Sequence, residues 1–351
     1  MPPPRTIQSL TGLLLAVLAG HACTAGKGTT LTASDVQPGE KQVLVEAASY
    51  SKAHRGMTML VMRKGKVIFE DYAAGVDPAD AMNLYSGTKS FNCAMAVAAA
   101  ADGLLRLDEP VADTLTEWKG QPRKSKITVR QILTLTSGLD AGRIGDIPTY
   151  AEAPQAEALH EPGTHFQYGP VPFQVFGELM RRKLESKGEM PVDYLKRRVL
   201  DPIGLKIDQW RQGKDGNAKL SAGAFLAARE WAKYGQLILD GGTWKGKAVL
   251  DPDLLAQCFE GTKANPGYGI AFWLPSNPGG ITWLGQEMDG ALDVKGPVFM
   301  AAGMGKQRLY VLPSRGLVIV RQARRRGLGG FGFKDSIFLP PVVSLYTEAG
   351  I

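Results

Sequence analysis

The sequence predicts an α+β fold: one antiparallel β-sheet flanked by helices, with a helical region inserted into it. Two observations carry this expectation. β-rich runs cluster near both ends of the chain, at residues 57–72 and 298–322, and the long stretch between them has mainly helical spacing. Strands that far apart in sequence complete one sheet most simply when the intervening helices pack on it or stand out from it.

Taken in order, Met57 to Met62 and Val67 to Tyr72 are joined by Arg63-Lys64-Gly65-Lys66, where glycine supplies the turn of a hairpin. Ser90 to Leu104 is alanine-rich and apolar, as expected of a buried helix. Ile127 to Leu135, Val175 to Leu184 and Val192 to Leu200 also repeat at helical spacing. Gly223 to Leu239 and Asp251 to Glu260 read as two more helices, the first stopped by Asp240-Gly241-Gly242. Val298 to Ala302, Arg308 to Leu312 and Leu317 to Gln322 are short strands punctuated by Gly303, Gly305, Pro313 and Gly316.

The first residues read as an export segment. Arg5 is followed by an apolar stretch from Leu10 to Leu18 and small residues from Ala19 to Ala25. The stretch is too short to span a bilayer. Cleavage after Ala22 would expose Cys23 to lipid attachment, although Gly20 stands where a lipoprotein signal usually has leucine. A periplasmic or secreted protein is expected, tethered to a membrane only if Cys23 is lipidated.

With 44% hydrophobic and 21% charged residues over 351 positions, the chain has ordinary globular composition. Its net charge is +7, but no run of five like charges occurs; Arg324, Arg325 and Arg326 are the densest cluster, and nucleic acid is not an expected partner. Cys93 and Cys258 sit among apolar neighbours and read as buried free thiols, in an environment that would permit a disulfide. His21, His54, His160 and His165 show no zinc-binding spacing, so neither a metal nor a cofactor is expected.

The strongest chemical signal is Ser86-Gly87-Thr88-Lys89. Residues three apart on a helix are neighbours, so the lysine amine can reach the serine hydroxyl. A serine needs a base to become nucleophilic, and lysine becomes one when burial lowers its pKa from about 10.4. The same spacing occurs in Ser49-Tyr50-Ser51-Lys52, within a stretch that reads as a polar helix. Ser86 instead follows Asn83-Leu84-Tyr85 and opens the long apolar helix, where the helix N-terminus favours a developing oxyanion. A capping serine beside a solvated lysine would leave the same signature.

Downstream, Pro162 to Pro170 is a turn-rich loop carrying Tyr168, which reads either as a proton shuttle responding to Lys89 or as a core aromatic. Ala301-Ala302-Gly303-Met304-Gly305 ends a strand with small residues; it is either a backbone platform for an acyl oxygen or a plain hairpin turn. No G-x-S-x-G elbow is present.

Taken together, LYSGTKSF at Leu84 to Phe91, ITVRQILTLTSGL at Ile127 to Leu139, PGTHFQYG at Pro162 to Gly169 and AAGMGKQ at Ala301 to Gln307 resemble the serine β-lactamase-related family. Class C-like esterases and the 6-aminohexanoate-dimer hydrolase group look nearest, through Leu107 to Pro110 and Ala228 to Leu237. The resemblance spans roughly residues 40–350. It implies a penicillin-recognising fold, and the expected organisation is 27–105 plus 221–351 as the sheet domain and 106–220 as the inserted helical domain, after residues 1–25 as the signal peptide that the export pattern gives. It also implies that Ser86 is acylated, Lys89 takes its proton, Tyr168 relays a proton to the leaving group, and the N–H groups of Ser86 and Met304 form the oxyanion hole. Tyr150, Gly303, Trp283 and Gln286 are the expected substrate contacts.

Two departures from the family pattern bear on substrate. Tyr168-Gly169-Pro170 lacks the amide of Tyr-x-Asn, and Ala301-Ala302-Gly303 lacks the cation of Lys-Thr-Gly. An exported serine hydrolase acting on an ester or linear amide is therefore the leading expectation. The alternatives are a cell-wall peptidase or weak β-lactamase, and a non-catalytic binding protein of the same fold.

Overall fold

The computed structural model describes residues 29–30, 36–282, 284, 292, 294–324 and 332–346. The export segment, including Cys23, lies outside them. Two strands open the described chain around a helix: β1 (Thr29–Thr30), α1 (Pro38–Ala53) and β2 (Gly56–Arg63). β3 (Lys66–Tyr72) follows β2 through Lys64 and Gly65, both at positive φ, the geometry a two-residue hairpin turn demands. After β4 (Met82–Asn83), a 3₁₀ turn over Tyr85–Ser90 runs directly into α2 (Phe91–Ala101).

α2 is buried from Phe91 to Ala99. Its alanines allow that: a helix with small side chains on every face can be surrounded, whereas an amphipathic helix needs one wet face. α3 (Val129–Leu133) starts at a capping box in which Thr128 and Gln131 exchange hydrogen bonds. α4 (Val171–Leu184), α5 (Pro191–Leu195), β5 (Gln209–Trp210) and β6 (Ala224–Leu226) come next.

α6 (Ala228–Leu239) begins later than the sequence reading has it, because Ala224–Leu226 pairs with β4 and β5 as a strand. The helix ends as expected, with Gly241 and Gly242 at positive φ and their N–H groups returning to Ile238 and Leu237. β7 (Thr243–Trp244), β8 (Lys247–Ala248), α7 (Pro252–Ala256), β9 (Phe299–Gly303), β10 (Gln307–Leu312), β11 (Leu317–Ala323) and α8 (Asp335–Ser344) complete the chain. No element was expected for α8, whose Pro340 and Pro341 are poor helix signals; its Phe338, Leu339, Val342 and Val343 are buried nonetheless.

The main sheet is antiparallel in the order β1-β3-β2-β11-β10-β9, so the two terminal strand clusters do close one sheet. α6 lies against β10 and β11, close enough that Gly235 touches Val318 and Leu309. α1 packs on β2 and is joined to the sheet by Arg321, a fully buried cation of β11. Its guanidinium donates to Ser51 Oγ at 2.9 Å and to the carbonyls of His54 and Lys306, and it lies over the Phe333 ring. β9 is the sheet edge that meets the 3₁₀ turn carrying Ser86.

Candidate active site

Ser86 is the second residue of the 3₁₀ turn, and Tyr85 before it adopts φ of 48°, a conformation a non-glycine residue holds only when its surroundings fix it. The Asn83 side chain accepts the Tyr85 N–H at 2.8 Å. Gly87 follows where any Cβ would meet the Trp231 ring at 2.9 Å. The nucleophile candidate thus stands on a tight turn leading into α2, with its side chain partly accessible.

Lys89 completes the turn. Its Nζ lies 3.2 Å from Ser86 Oγ and donates to the Ser221 carbonyl at 2.9 Å, and the residue is 4% exposed. The rings of Tyr168 and Phe173 lie 4.9 and 5.3 Å from it. Burial lowers its pKa to about 7, so near neutrality much of the amine is unprotonated and able to accept a proton.

Tyr168 is brought to the same place by the loop between α3 and α4. Gly169 after it packs so closely that a Cβ would stand 2.0 Å from the Ala141 carbonyl oxygen, and Pro170 caps α4. The departure from Tyr-x-Asn therefore coincides with a tight backbone contact and a helix start. Burial raises the Tyr168 pKa to about 12, while its interactions with Ser86 and the Arg308 charge pull the other way. At neutral pH the phenol keeps its proton and can donate it. Trp273 and Tyr268 pack around its ring, with centroids at 5.3 and 6.2 Å.

Gly303, the last residue of β9, presses against this turn: a Cβ there would lie 2.0 Å from the Leu84 carbonyl oxygen and 3.1 Å from the Gly87 nitrogen. Met304 follows at the start of the β9–β10 turn. Ser86 and Lys89 on one turn, Tyr168 and Gly303 are thus assembled from three sequence neighbourhoods into one corner of the molecule.

Other expected contacts fall elsewhere. Tyr150 is 1% exposed and packs on Gly177 of α4, where a Cβ would stand 2.4 Å from its ring; it belongs to the core, which leaves it no surface for the expected substrate contact. Trp283 and Gln286 lie outside the described residues. The second S-x-x-K match is spent structurally: exposed Ser49 donates to the Val45 carbonyl, and Lys52 pairs with Asp71 at 3.0 Å. Cys93 and Cys258 are buried free thiols. Among the described residues no cluster of three or more His, Cys, Asp or Glu side chains could hold a metal, and His160 and His165 stack on each other at 3.9 Å.

Sequence reasoning missed Ser221, Asn92 and Phe173, which contact Lys89, and Gln174, which bonds Leu220 next to Ser221. Ser221 is 132 positions from its partner, so no local pattern marks it.

The Beta-lactamase family model matches residues 42–338. No protein of curated function matches in sequence. Three solved structures show the fold relationship. A penicillin-binding protein homolog from Caulobacter crescentus is 17% identical, with a TM-score of 0.69 over 89% of this chain and 99% of its own. A family VIII carboxylesterase is 16% identical, with a TM-score of 0.68 over 88% and 98%. A Bacillus anthracis protein provisionally named 6-aminohexanoate-dimer hydrolase is 18% identical, with a TM-score of 0.64 over 79% and 75%.

Proposed function

The chain belongs to the Beta-lactamase family, with a hydrolase fold shared by esterases and penicillin-binding-protein homologs, and we propose that it is an exported serine hydrolase cleaving an ester or linear amide through an acyl-enzyme. The observation that carries this reading is the buried Lys89 amine 3.2 Å from Ser86 Oγ, with its pKa lowered to about 7.

In the proposed cycle the neutral Lys89 amine accepts the Ser86 hydroxyl proton as Oγ attacks the substrate carbonyl. The N–H groups of Ser86 and Met304 receive the developing oxyanion. As the tetrahedral intermediate collapses, the bond to the leaving alcohol or amine breaks. Tyr168 delivers a proton to that group and recovers one from the Lys89 ammonium. Water then attacks the acyl-enzyme, losing its proton to the same pair; as the acyl–Oγ bond breaks, the pair returns that proton to Ser86 Oγ and the acid is released.

Two residues support an ester or linear amide over a penicillin-like substrate. Pro170 offers no side-chain amide, and Ala301, 2% exposed and paired with Leu309 in the sheet, offers no cation for a substrate carboxylate. Export and possible lipidation of Cys23 rest on the pattern of residues 1–25.

A substrate panel tests this reading. Turnover of p-nitrophenyl acetate or an acyl p-nitroanilide, lost in Ser86→Ala, is expected, with little hydrolysis of a chromogenic cephalosporin. Faster cephalosporin than ester turnover would favour the β-lactamase reading. No turnover of any of them would favour a binding protein.

A further inference from the structure

Lys89 is held from two directions, and only one involves its own side chain. Asn92, in the first turn of α2 and 1% exposed, donates through Nδ2 to the Lys89 carbonyl at 2.8 Å and to the Leu220 carbonyl at 3.1 Å. The next carbonyl along, that of Ser221, receives Lys89 Nζ. One amide group therefore ties the main chain of Lys89 to the segment that anchors its side chain.

The same segment is gripped from the other side. Gln174, also 1% exposed, accepts the Leu220 N–H through Oε1 at 2.9 Å and donates through Nε2 to the Pro148 carbonyl at 3.0 Å. It lies on α4, six residues after Tyr168. A neutral primary amine has two hydrogens and one lone pair. With one hydrogen fixed on a stationary carbonyl, the directions open to the lone pair are restricted, and Ser86 lies within its reach.

We propose that Asn92 and Gln174 are positioning residues that clamp the Leu220–Ser221 segment so that the Lys89 amine is turned toward Ser86. This rests on the hydrolase reading only for its effect on rate; the clamp itself is defined by four hydrogen bonds, three of them between buried groups and the one to Pro148 part-buried. Removing the Asn92 amide takes one donor from the Lys89 carbonyl, which also receives the Phe91 N–H, and one from the Leu220 carbonyl, and carbonyl dipoles relieved of a donor favour an ammonium. Tyr168 is the titratable side chain packed on the amine, and burial is what lowers the amine's pKa.

The test uses the full mature protein labelled with ¹⁵N-lysine, with the Lys89 side-chain signal assigned by its loss in Lys89→Met. Asn92→Leu is expected to raise the Lys89 titration midpoint by roughly one pH unit, and Gln174→Leu, which loosens the Ser221 carbonyl that accepts from Nζ, to move it by a comparable amount. Ester kcat should fall roughly tenfold or more, with KM within about twofold. Gln322→Leu is the control: Gln322 is equally buried and donates to the Leu226 carbonyl, so it should lower Tm without moving the midpoint.

Should Asn92→Leu fail to fold, Gln174→Leu and the milder Asn92→Ser decide. Folded variants with an unmoved midpoint and unchanged kcat overturn the clamp. A wild type that lacks ester turnover counts against the hydrolase reading, and the titration still decides the clamp.

Discussion

Lys89 Nζ lies 3.2 Å from Ser86 Oγ in a residue that is itself 4% exposed, so the amine is hidden while Ser86 stays partly exposed. A buried amine with no carboxylate beside it among the described residues is costly to protonate, and that cost is what keeps much of it neutral near pH 7.

Replacing this amine by an apolar chain separates stability from activity. Lys89→Met is expected to reduce ester turnover on the order of 10³-fold while raising Tm by several degrees at pH 6, because the burial penalty on the cation disappears. The folded pKa, about 7, lies below the unfolded value of about 10.4, so the unfolded chain binds the extra proton between those limits. The stability contributed by the wild-type site therefore rises with pH across that window and is lowest below pH 7. Thermal scans from pH 6 to 10 should show the gain of Lys89→Met shrinking as pH rises.

The pH profile assigns the proton roles. If Lys89 is the base, kcat/KM should climb through an acid limb near pH 7. With Tyr168 pushed up to about 12, no alkaline limb from its ionisation should appear below about pH 11. Tyr168→Phe should reduce kcat roughly 10²-fold and leave the acid limb in place. A limb that disappears in Tyr168→Phe would make the phenol the base instead.

Gly303 is predicted to be irreplaceable for a spatial reason. A Cβ would stand 2.0 Å from the Leu84 carbonyl oxygen, so Gly303→Val must push β9 from the Ser86 turn. Expected are a loss of about 1–3 kcal/mol of stability and at least about a tenfold fall in kcat, read by denaturant titration and ester assay.

The two S-x-x-K matches should part cleanly. Ser49→Ala removes only an exposed hydroxyl bonded within its own helix and should leave turnover within about twofold, whereas Ser86→Ala should remove it. Steady-state rates of the two variants, purified alongside wild type, suffice for the comparison.

The sheet was legible because strand periodicity and glycine turns are local, as at Lys64-Gly65 and Gly316. Ser86 and Lys89 were legible for the same reason, being three residues apart on one turn. α8 was hidden by its prolines, and the strand at Ala224–Leu226 by its continuity with α6; in both, tertiary packing overrides local preference. Tyr150 was misplaced because an aromatic in a turn-rich stretch looks the same whether it faces a cleft or fills the groove above Gly177. The bond of Lys89 to Ser221 and the bonds of Asn92 and Gln174 to Leu220 were invisible because hydrogen bonds across tens to more than a hundred positions leave no spacing to read.

The central claim is that Ser86 is the acylated nucleophile, and the most direct measurement is intact and peptide mass spectrometry of the mature protein after exposure to a fluorophosphonate. One adduct, on the peptide containing Ser86, absent in Ser86→Ala, retained in Ser49→Ala and formed faster as pH rises through about 7, is the predicted result. An adduct on another residue, or an unmodified Ser86 in a protein that still turns over esters, would contradict it.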